Sequence, residues 1–387
     1  MVIVVLMLCS FAVATAEFVL VGLLPEIATD LAVSVPAAGQ LVTVYMLVVT
    51  VGGPVATVLT RRLPRRSLLA ATMALATAAA AGSAAAGSYG VLLVARLGSA
   101  VAQALFMAVA SQVAMAAAAP ARQTAAVARV FAGFALATVI GLPVGSLVGQ
   151  AYGWHATFVL VAALAGTGLV GVLVFCPRIP ADASADAGRL GDVVRLLAPR
   201  AVLTGLAVTL LTLTGFVAVF TYVAPLLSTV AGFSPGWVSV ALVGYGLGTV
   251  AGNVLAGRVA PAAVPRVLPV PLAVLAVVLS AQPVLLRIPA TALVGLVVLG
   301  AATFVVVPLL QTWLMAQVGQ AAAGLVAAVN ISVAGVAGAL GAGLGGAVLA
   351  VGLGLVAIGP VAALPVLGAL GAAFALRARP AGVLCRD

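Results

Sequence analysis

Glu17 and Arg96 are the two ionisable residues that lie within long apolar runs of this 387-residue chain. A charge held in hydrocarbon costs about 2.5–3.5 kcal/mol even on permissive insertion scales, so such residues face protein or a cavity. Glu17 falls seven residues before the end of the first apolar run and Arg96 six residues into the fourth. At 1.5 Å per residue, both lie about 10 Å below the same boundary. A carboxyl group there can take up and release a proton, and a nearby guanidinium would tune its proton affinity and report its charge state. The competing reading is a permanent ion pair that staples two helices. Hydrophobic packing does a staple's work without desolvating two charges, which favours the first reading. Ser99, Gln103 and Met107 recur at i+3, i+7 and i+11 from Arg96 and share its helix face, so that face is expected to line a pocket.

Other polar or aromatic candidates are Tyr222, Asn253, Gln311, Trp313 and Asn330 in the second half, with Tyr45 and Phe220 as aromatic walls. Asn and Gln within membrane spans commonly bond across helices, so each also has a packing reading. Gly133, Ala137, Gly141, Gly145 and Gly149 are spaced by four residues and form a smooth ridge that admits a close neighbour, with Pro143 expected to interrupt the helix ladder. Gly244, Gly248 and Gly252 repeat the device, as do Gly338, Ala342 and Gly346. His155 stands beside Trp154 in a loop, where a position in the interfacial aromatic belt is expected. The apolar runs offer one acid, no histidine and no cysteine cluster, which excludes an intramembrane enzyme. Cys9, Cys176 and Cys385 give neither a disulfide framework nor a zinc motif, so no metal is expected. No phosphate-binding loop is present, so no ATP or other cofactor is called for and energy would have to come from an ion gradient.

Charged residues make up 6% of the chain, hydrophobic residues 65%, and mean hydropathy is +1.36. Soluble domains carry about 25% charge, so lipid must be the solvent here. Apolar segments fall near residues 2–24, 37–59, 67–87, 90–116, 125–149 and 156–176, then 201–228, 236–257, 267–286, 290–316, 321–348 and 353–376. These predict twelve transmembrane helices and an all-α integral membrane fold. The runs are continuous rather than alternating, which excludes a barrel. All 17 basic residues are arginine, and all but Arg96 and Arg287 fall on one side of the predicted spans. By the positive-inside rule both termini are cytoplasmic, and the net charge of +10 is a topology signal rather than a nucleic-acid footprint. The longest polar stretch, 177–200, reads as a cytoplasmic linker between six-helix bundles 1–176 and 201–376, followed by a tail at 377–387. Two six-helix halves related by parallel repeats are one of the plans of secondary transporters.

Particular motifs carry a resemblance that covers nearly the whole chain. Residues 16–31, Ala-Glu-Phe-Val-Leu-Val-Gly-Leu-Leu-Pro-Glu-Ile-Ala-Thr-Asp-Leu, resemble the first-helix signature of the drug:proton antiporter branch of the major facilitator superfamily, most closely the chloramphenicol-exporter and arabinose-efflux-like members. Gly141-Leu142-Pro143-Val144-Gly145 is similar to that branch's antiporter motif, a ridge that would form a sliding or bending surface between the halves. Residues 220–234, Gly252-Asn253, Pro308-Leu309-Leu310-Gln311 and Asn330 also match. The resemblance implies alternating access in a bacterial inner or plasma membrane, with Glu17 as proton carrier, Arg96 tuning it, and efflux of small amphipathic compounds, chloramphenicol-like drugs first. Export of a sugar, nucleoside or self-made antibiotic is the alternative, and a channel fits less well. The partners implied are the bilayer, a small-molecule substrate and the proton, with the chain acting as a monomer.

Two positions depart from the family pattern. After the second span, where the superfamily has Gly-x-Leu-Ala-Asp-Arg-x-Gly-Arg-Arg, Arg61 stands at the Asp position and Pro64 at the second Gly, within a gating loop that also carries Arg62, Arg65 and Arg66. Trp313 stands where related exporters tend to have arginine.

Overall fold

The computed structural model describes residues 1–59, 63–117, 123–177, 199–318 and 320–377. Hydrocarbon offers backbone groups no hydrogen-bond partner, so each apolar run satisfies its own ladder as a helix. The helices are α1 (Val2–Asp30), α2 (Val35–Leu59), α3 (Arg65–Ala84), α4 (Tyr89–Ala116), α5 (Gln123–Leu136), α6 (Leu142–Tyr152) and α7 (Trp154–Phe175). They continue as α8 (Arg200–Thr221), α9 (Pro235–Ala256), α10 (Pro269–Leu285), α11 (Pro289–Ala316), α12 (Gln320–Ala350) and α13 (Ile358–Arg377). Among the described residues, 11 helices are long and apolar enough to cross a membrane, or 12 when Pro261–Val267 and Pro269–Leu285, bent by 41°, form one span. Hydroxyl groups in the spans are absorbed locally: Thr15 donates to Phe11 O (2.7 Å), Thr72 to Leu68 O (2.7 Å) and Thr214 to Leu210 O (2.8 Å).

Two compact units result, one drawn from Met1–Ala187 with Pro235–Leu242 and the other from Gly188–Ser234 with Val243–Asp387. In the first, α1 packs against α4, α5, α6 and α7, while α3 packs on α4 and α7 and α2 on α4. In the second, α8 packs against α12 and α13, and α10 against α11 and α13.

Several boundaries differ from the sequence reading, most of them at prolines. The first span was expected to end at 24, but α1 runs through Pro25 to Asp30. A proline removes one ladder bond, and buried Leu24, Ile27 and Ala28 hold the helix together around it. Glu17 is therefore near the middle of α1, about 20 Å from its C-terminal end rather than about 10 Å. In the fifth span the ladder breaks before Pro143, in a π-turn at Ala137–Gly141 that gives the proline ring room. The seventh span is not one helix to 228. It stops at Thr221, leaves helical geometry at Tyr222 (φ −106°, ψ 19°) one turn ahead of Pro225, and ends in a second π-turn at Leu226–Val230. The third span is Arg65–Ala84 rather than 67–87, beginning directly after Pro64. Arg61, Arg62, linker residues 178–198 and tail residues 378–387 lie outside the described residues.

The glycine ridge of the fifth span has a definite seat. A Cβ at Gly133 would meet Met7 O, at Gly141 Thr15 Oγ1, at Gly145 Val19 Cγ2 and at Gly149 Leu23 Cδ2. Four turns of α1 nest against glycines of α5, the π-turn and α6, all within the first unit. Gly248 and Gly252 of α9 likewise approach Val297 O and Ala301 O of α11. On α12 the close approach to α8 falls at Gly341 and Gly345, against Thr214 O and Ala218 O.

Candidate functional site

Glu17 takes its direction from the ridge. Thr15, Val19 and Leu23 face α5 and α6, and residue 17, about 200° round the helix from residue 15, faces the other way. The side chain is 9% exposed. Gln103 Nε2 of α4 donates to Glu17 Oε2 at 2.6 Å, and the Tyr45 hydroxyl of α2 donates to Gln103 Oε1 at 2.6 Å. One amide thus joins three helices, with every bond short and buried.

Arg96 is 2% exposed and belongs to the same cluster without touching the carboxylate. Its Nη1 donates to Ala16 O, its guanidinium lies 4.3 Å from the centroid of the Tyr45 ring, and its Nε has no partner. Among the described residues, no carboxylate oxygen comes within 4.0 Å of it. The direct pairing weighed from sequence is therefore replaced by coupling through space, because Gln103 holds Glu17 Oε2 while Arg96 reaches the backbone one residue earlier. The cation is compensated by a π face and a carbonyl, both of which retain its charge. Ser99 is buried on the same face of α4. Met107 packs, partly buried, against the apolar cluster that contains Phe106 and Val109.

The second unit holds a separate polar chain. The Thr209 hydroxyl of α8 donates to Asn330 Oδ1 of α12 at 2.8 Å, and Asn330 Nδ2 donates to Gln311 Oε1 of α11. Phe220 stacks on Phe216 (5.2 Å between centroids) and lies 4.8 Å from Tyr245, while Phe304 meets Phe216 edge-on. Trp313 is buried against α8, where a Cβ at Gly205 would fall 2.7 Å from the indole, so it fills space in the position where arginine was expected. Tyr222 is buried, its hydroxyl 3.5 Å from Ala342 O. Asn253 is half-buried. Thr209, Phe216, Tyr245 and Phe304 were not singled out from sequence. The i, i+4 pair Phe216–Phe220 was a usable signal, whereas a threonine within a span reads as a back-bonded hydroxyl.

Two of the predicted gating-loop arginines fall among the described residues. Arg65 is buried at the start of α3, and Arg66 donates to Leu173 O in the last turn of α7, where the free carbonyls of a helix end attract a cation. At the end of α1, Trp154 Nε1 donates to Asp30 Oδ2 at 2.9 Å, and His155 stacks on Trp154 with Nε2 3.2 Å from Ala86 O. Among the described residues, no group of three or more His, Cys, Asp or Glu could hold a metal ion.

Membrane-length helices in two units, with buried polar clusters inside each, make this a polytopic membrane protein on one of the plans that secondary transporters use. The Major Facilitator Superfamily profile matches residues 6–342. The inner membrane transport protein YdhP of Escherichia coli K12 is 35% identical over 316 residues, covering 82% of this chain and 80% of that protein. The MFS-type transporter YfhI of Bacillus subtilis is 34% identical over 308 residues, covering 80% and 77%. A chloramphenicol resistance protein of Streptomyces lividans is 38% identical over 250 residues, covering 64% and 63%. Among solved structures, the nucleoside transporter NupG superposes with a TM-score of 0.79 at 12% identity, covering 97% of this chain and 100% of that one, a likeness of fold. The chain belongs to the Major Facilitator Superfamily, whose members are transporters and not enzymes.

Proposed function

We propose that this protein exports small, amphipathic organic molecules in exchange for protons by alternating access between its two units, with Glu17 as the proton carrier and chloramphenicol-like compounds as the leading substrates. The observation that carries the reading is Glu17 itself: a carboxyl group in the middle of a membrane-spanning helix, held at one oxygen by Gln103, with the Arg96 cation beside it but unbonded to it. A carboxylate locked into an ion pair would have to break that pair to accept a proton; this one would not. The 38% identity to a chloramphenicol resistance protein supports the substrate class. Exchange of one proton for a neutral solute draws about 2.3 kcal/mol per 100 mV from the membrane potential, which suits a single acid. No cofactor enters the scheme. The chain would act as a monomer in a bacterial cell membrane, with both termini cytoplasmic.

The test is proton movement in energised everted vesicles, followed by a pH-sensitive dye while chloramphenicol and then a sugar and nucleoside panel is added. Wild-type protein should release protons on drug addition, and Glu17→Gln should not. Release with sugars or nucleosides alone would move the assignment to metabolite export. Undiminished release from Glu17→Gln would remove Glu17 from the mechanism.

A further inference from the structure

The two oxygens of the Glu17 carboxyl group are held unequally. Oε2 accepts from Gln103 Nε2 at 2.6 Å. Among the described residues nothing donates to Oε1. Nor is Oε1 one of the oxygens fully enclosed without a partner, as Glu26 Oε2 is on the same helix. Arg96 does not tie it down either, since its Nη1 is spent on Ala16 O. One oxygen of the acid is therefore anchored and the other is open.

The anchor is itself supported. The Tyr45 hydroxyl donates to Gln103 Oε1 at 2.6 Å, and a carboxylate can only accept, so the NH2 end of the amide has to face Glu17. Tyr45 is buried, with the Arg96 guanidinium 4.3 Å from its ring centroid. Turning the amide over would break both of its bonds and leave a buried hydroxyl hydrogen without an acceptor.

We propose that Gln103 is the positioning residue of proton exchange: it occupies Oε2, so that Oε1 is the atom that takes up and gives up the proton, with Tyr45 holding Gln103 in place. This rests on the reading of Glu17 as proton carrier. In the uptake step a hydronium ion passes its proton to Oε1; an O–H bond forms there, water is left, and the carboxylate charge is cancelled. Oε2 becomes the carbonyl oxygen and still accepts from Gln103, so neither bond of the amide has to break. A proton on Oε2 would instead set O–H against N–H. Release is the same step reversed, with water as the acceptor. The ionisable side chains that act on Glu17 among the described residues, Arg96 of α4 and Tyr45 of α2, keep their places in both states.

Infrared difference spectra of the full-length protein in liposomes, taken between alkaline and acidic pH, read the carbonyl stretch of the protonated acid, and Glu17→Gln identifies the band by removing it. In the wild type the band should lie at the lower wavenumber of a hydrogen-bonded carbonyl. Gln103→Met keeps the length of the side chain without the donor and should move the band to higher wavenumber. Tyr45→Phe leaves the donor but frees the amide, and should broaden the band and move it part of the way. A Gln103 that only packs helices together would change stability and leave the band where it is. The same band in wild type and Gln103→Met would overturn the proposal, as would a wild-type band already at the unbonded position, the mark of an amide that has turned over. If no carboxyl band is lost in Glu17→Gln, the carrier reading itself fails and the positioning role falls with it. Tyr45→Phe decides the matter if Gln103→Met does not fold.

Discussion

Gly141→Ala tests the seat of α1 on the ridge with the smallest available perturbation. In a helix the substitution by itself stabilises, by about 0.5–1 kcal/mol of backbone entropy. Here the new methyl group would overlap Thr15 Oγ1 and press on Thr15 Cγ2 and Cβ, and Thr15 is 1% exposed with its hydroxyl bonded to Phe11 O. Overpacking of this kind costs about 1–3 kcal/mol, so the clash outweighs the entropy gain. The expected net loss is about 1 kcal/mol, roughly a fivefold shift in the unfolding equilibrium. Thr15→Ala removes the two atoms struck hardest, so the double variant should recover most of the loss, a positive coupling in a double-mutant cycle. Gly133→Ala provides the contrast, because its methyl would meet the backbone oxygen of Met7, which no side-chain change can remove. Unfolding of the purified protein in detergent measures all four variants. Additive effects of Gly141→Ala and Thr15→Ala, or a gain in stability from Gly141→Ala alone, would show that α1 is not held in these notches.

Asn330→Leu leaves the Thr209 hydroxyl and the Gln311 carbonyl without their partner and should cost about 1–2 kcal/mol in the same unfolding assay, partly restored by Thr209→Val. Tyr45→Phe keeps the ring over Arg96 but frees Gln103, so a stability loss of about 0.5–1.5 kcal/mol is expected, and Tyr45→Leu should lose more because the cation–π contact goes as well. Equal losses in the two would discount the ring contact. Burial pushes the Cys176 thiol above its ordinary range and the Arg66 cation opposes this. The thiol form therefore persists to higher pH than in free cysteine. Maleimide alkylation in a Cys385→Ser background should be slow at pH 7 and rise at more alkaline pH, and Arg66→Ala should slow it further. Reaction at the rate of free cysteine at pH 7 would contradict the burial.

The span count could be read from sequence because hydrocarbon leaves a chain few choices: each apolar run of sufficient length had to be a helix. The breaks could not. Pro25 lies inside α1 while Pro143 and Pro225 each follow a disrupted turn, although buried side chains flank all three, so neither the proline nor its apolar setting in the sequence marks which of them breaks the ladder. The face shared by Arg96, Ser99 and Gln103 was legible from i+3 and i+7 spacing. The Gln103–Glu17 and Gln103–Tyr45 bonds were not, since they depend on which helices become neighbours. Thr209 carried no local signal at all, because its tertiary partner Asn330 lies 121 residues away.

The notched contact between α1 and the ridge also restricts how Glu17 can travel. The Met7 carbonyl lies against Gly133, and the side chains of Thr15, Val19 and Leu23 each occupy a hollow whose floor is a glycine. Sliding α1 by a fraction of a turn would drive Val19 and Leu23 onto the shoulders between hollows. The arrangement works as a detent: it resists lengthwise positions between the hollows, which lie four residues, about 6 Å, apart. Glu17, mounted on such a helix, keeps its depth along α1 unless α1 lifts off the ridge altogether, so any change in its exposure would have to come from the helices that cover it.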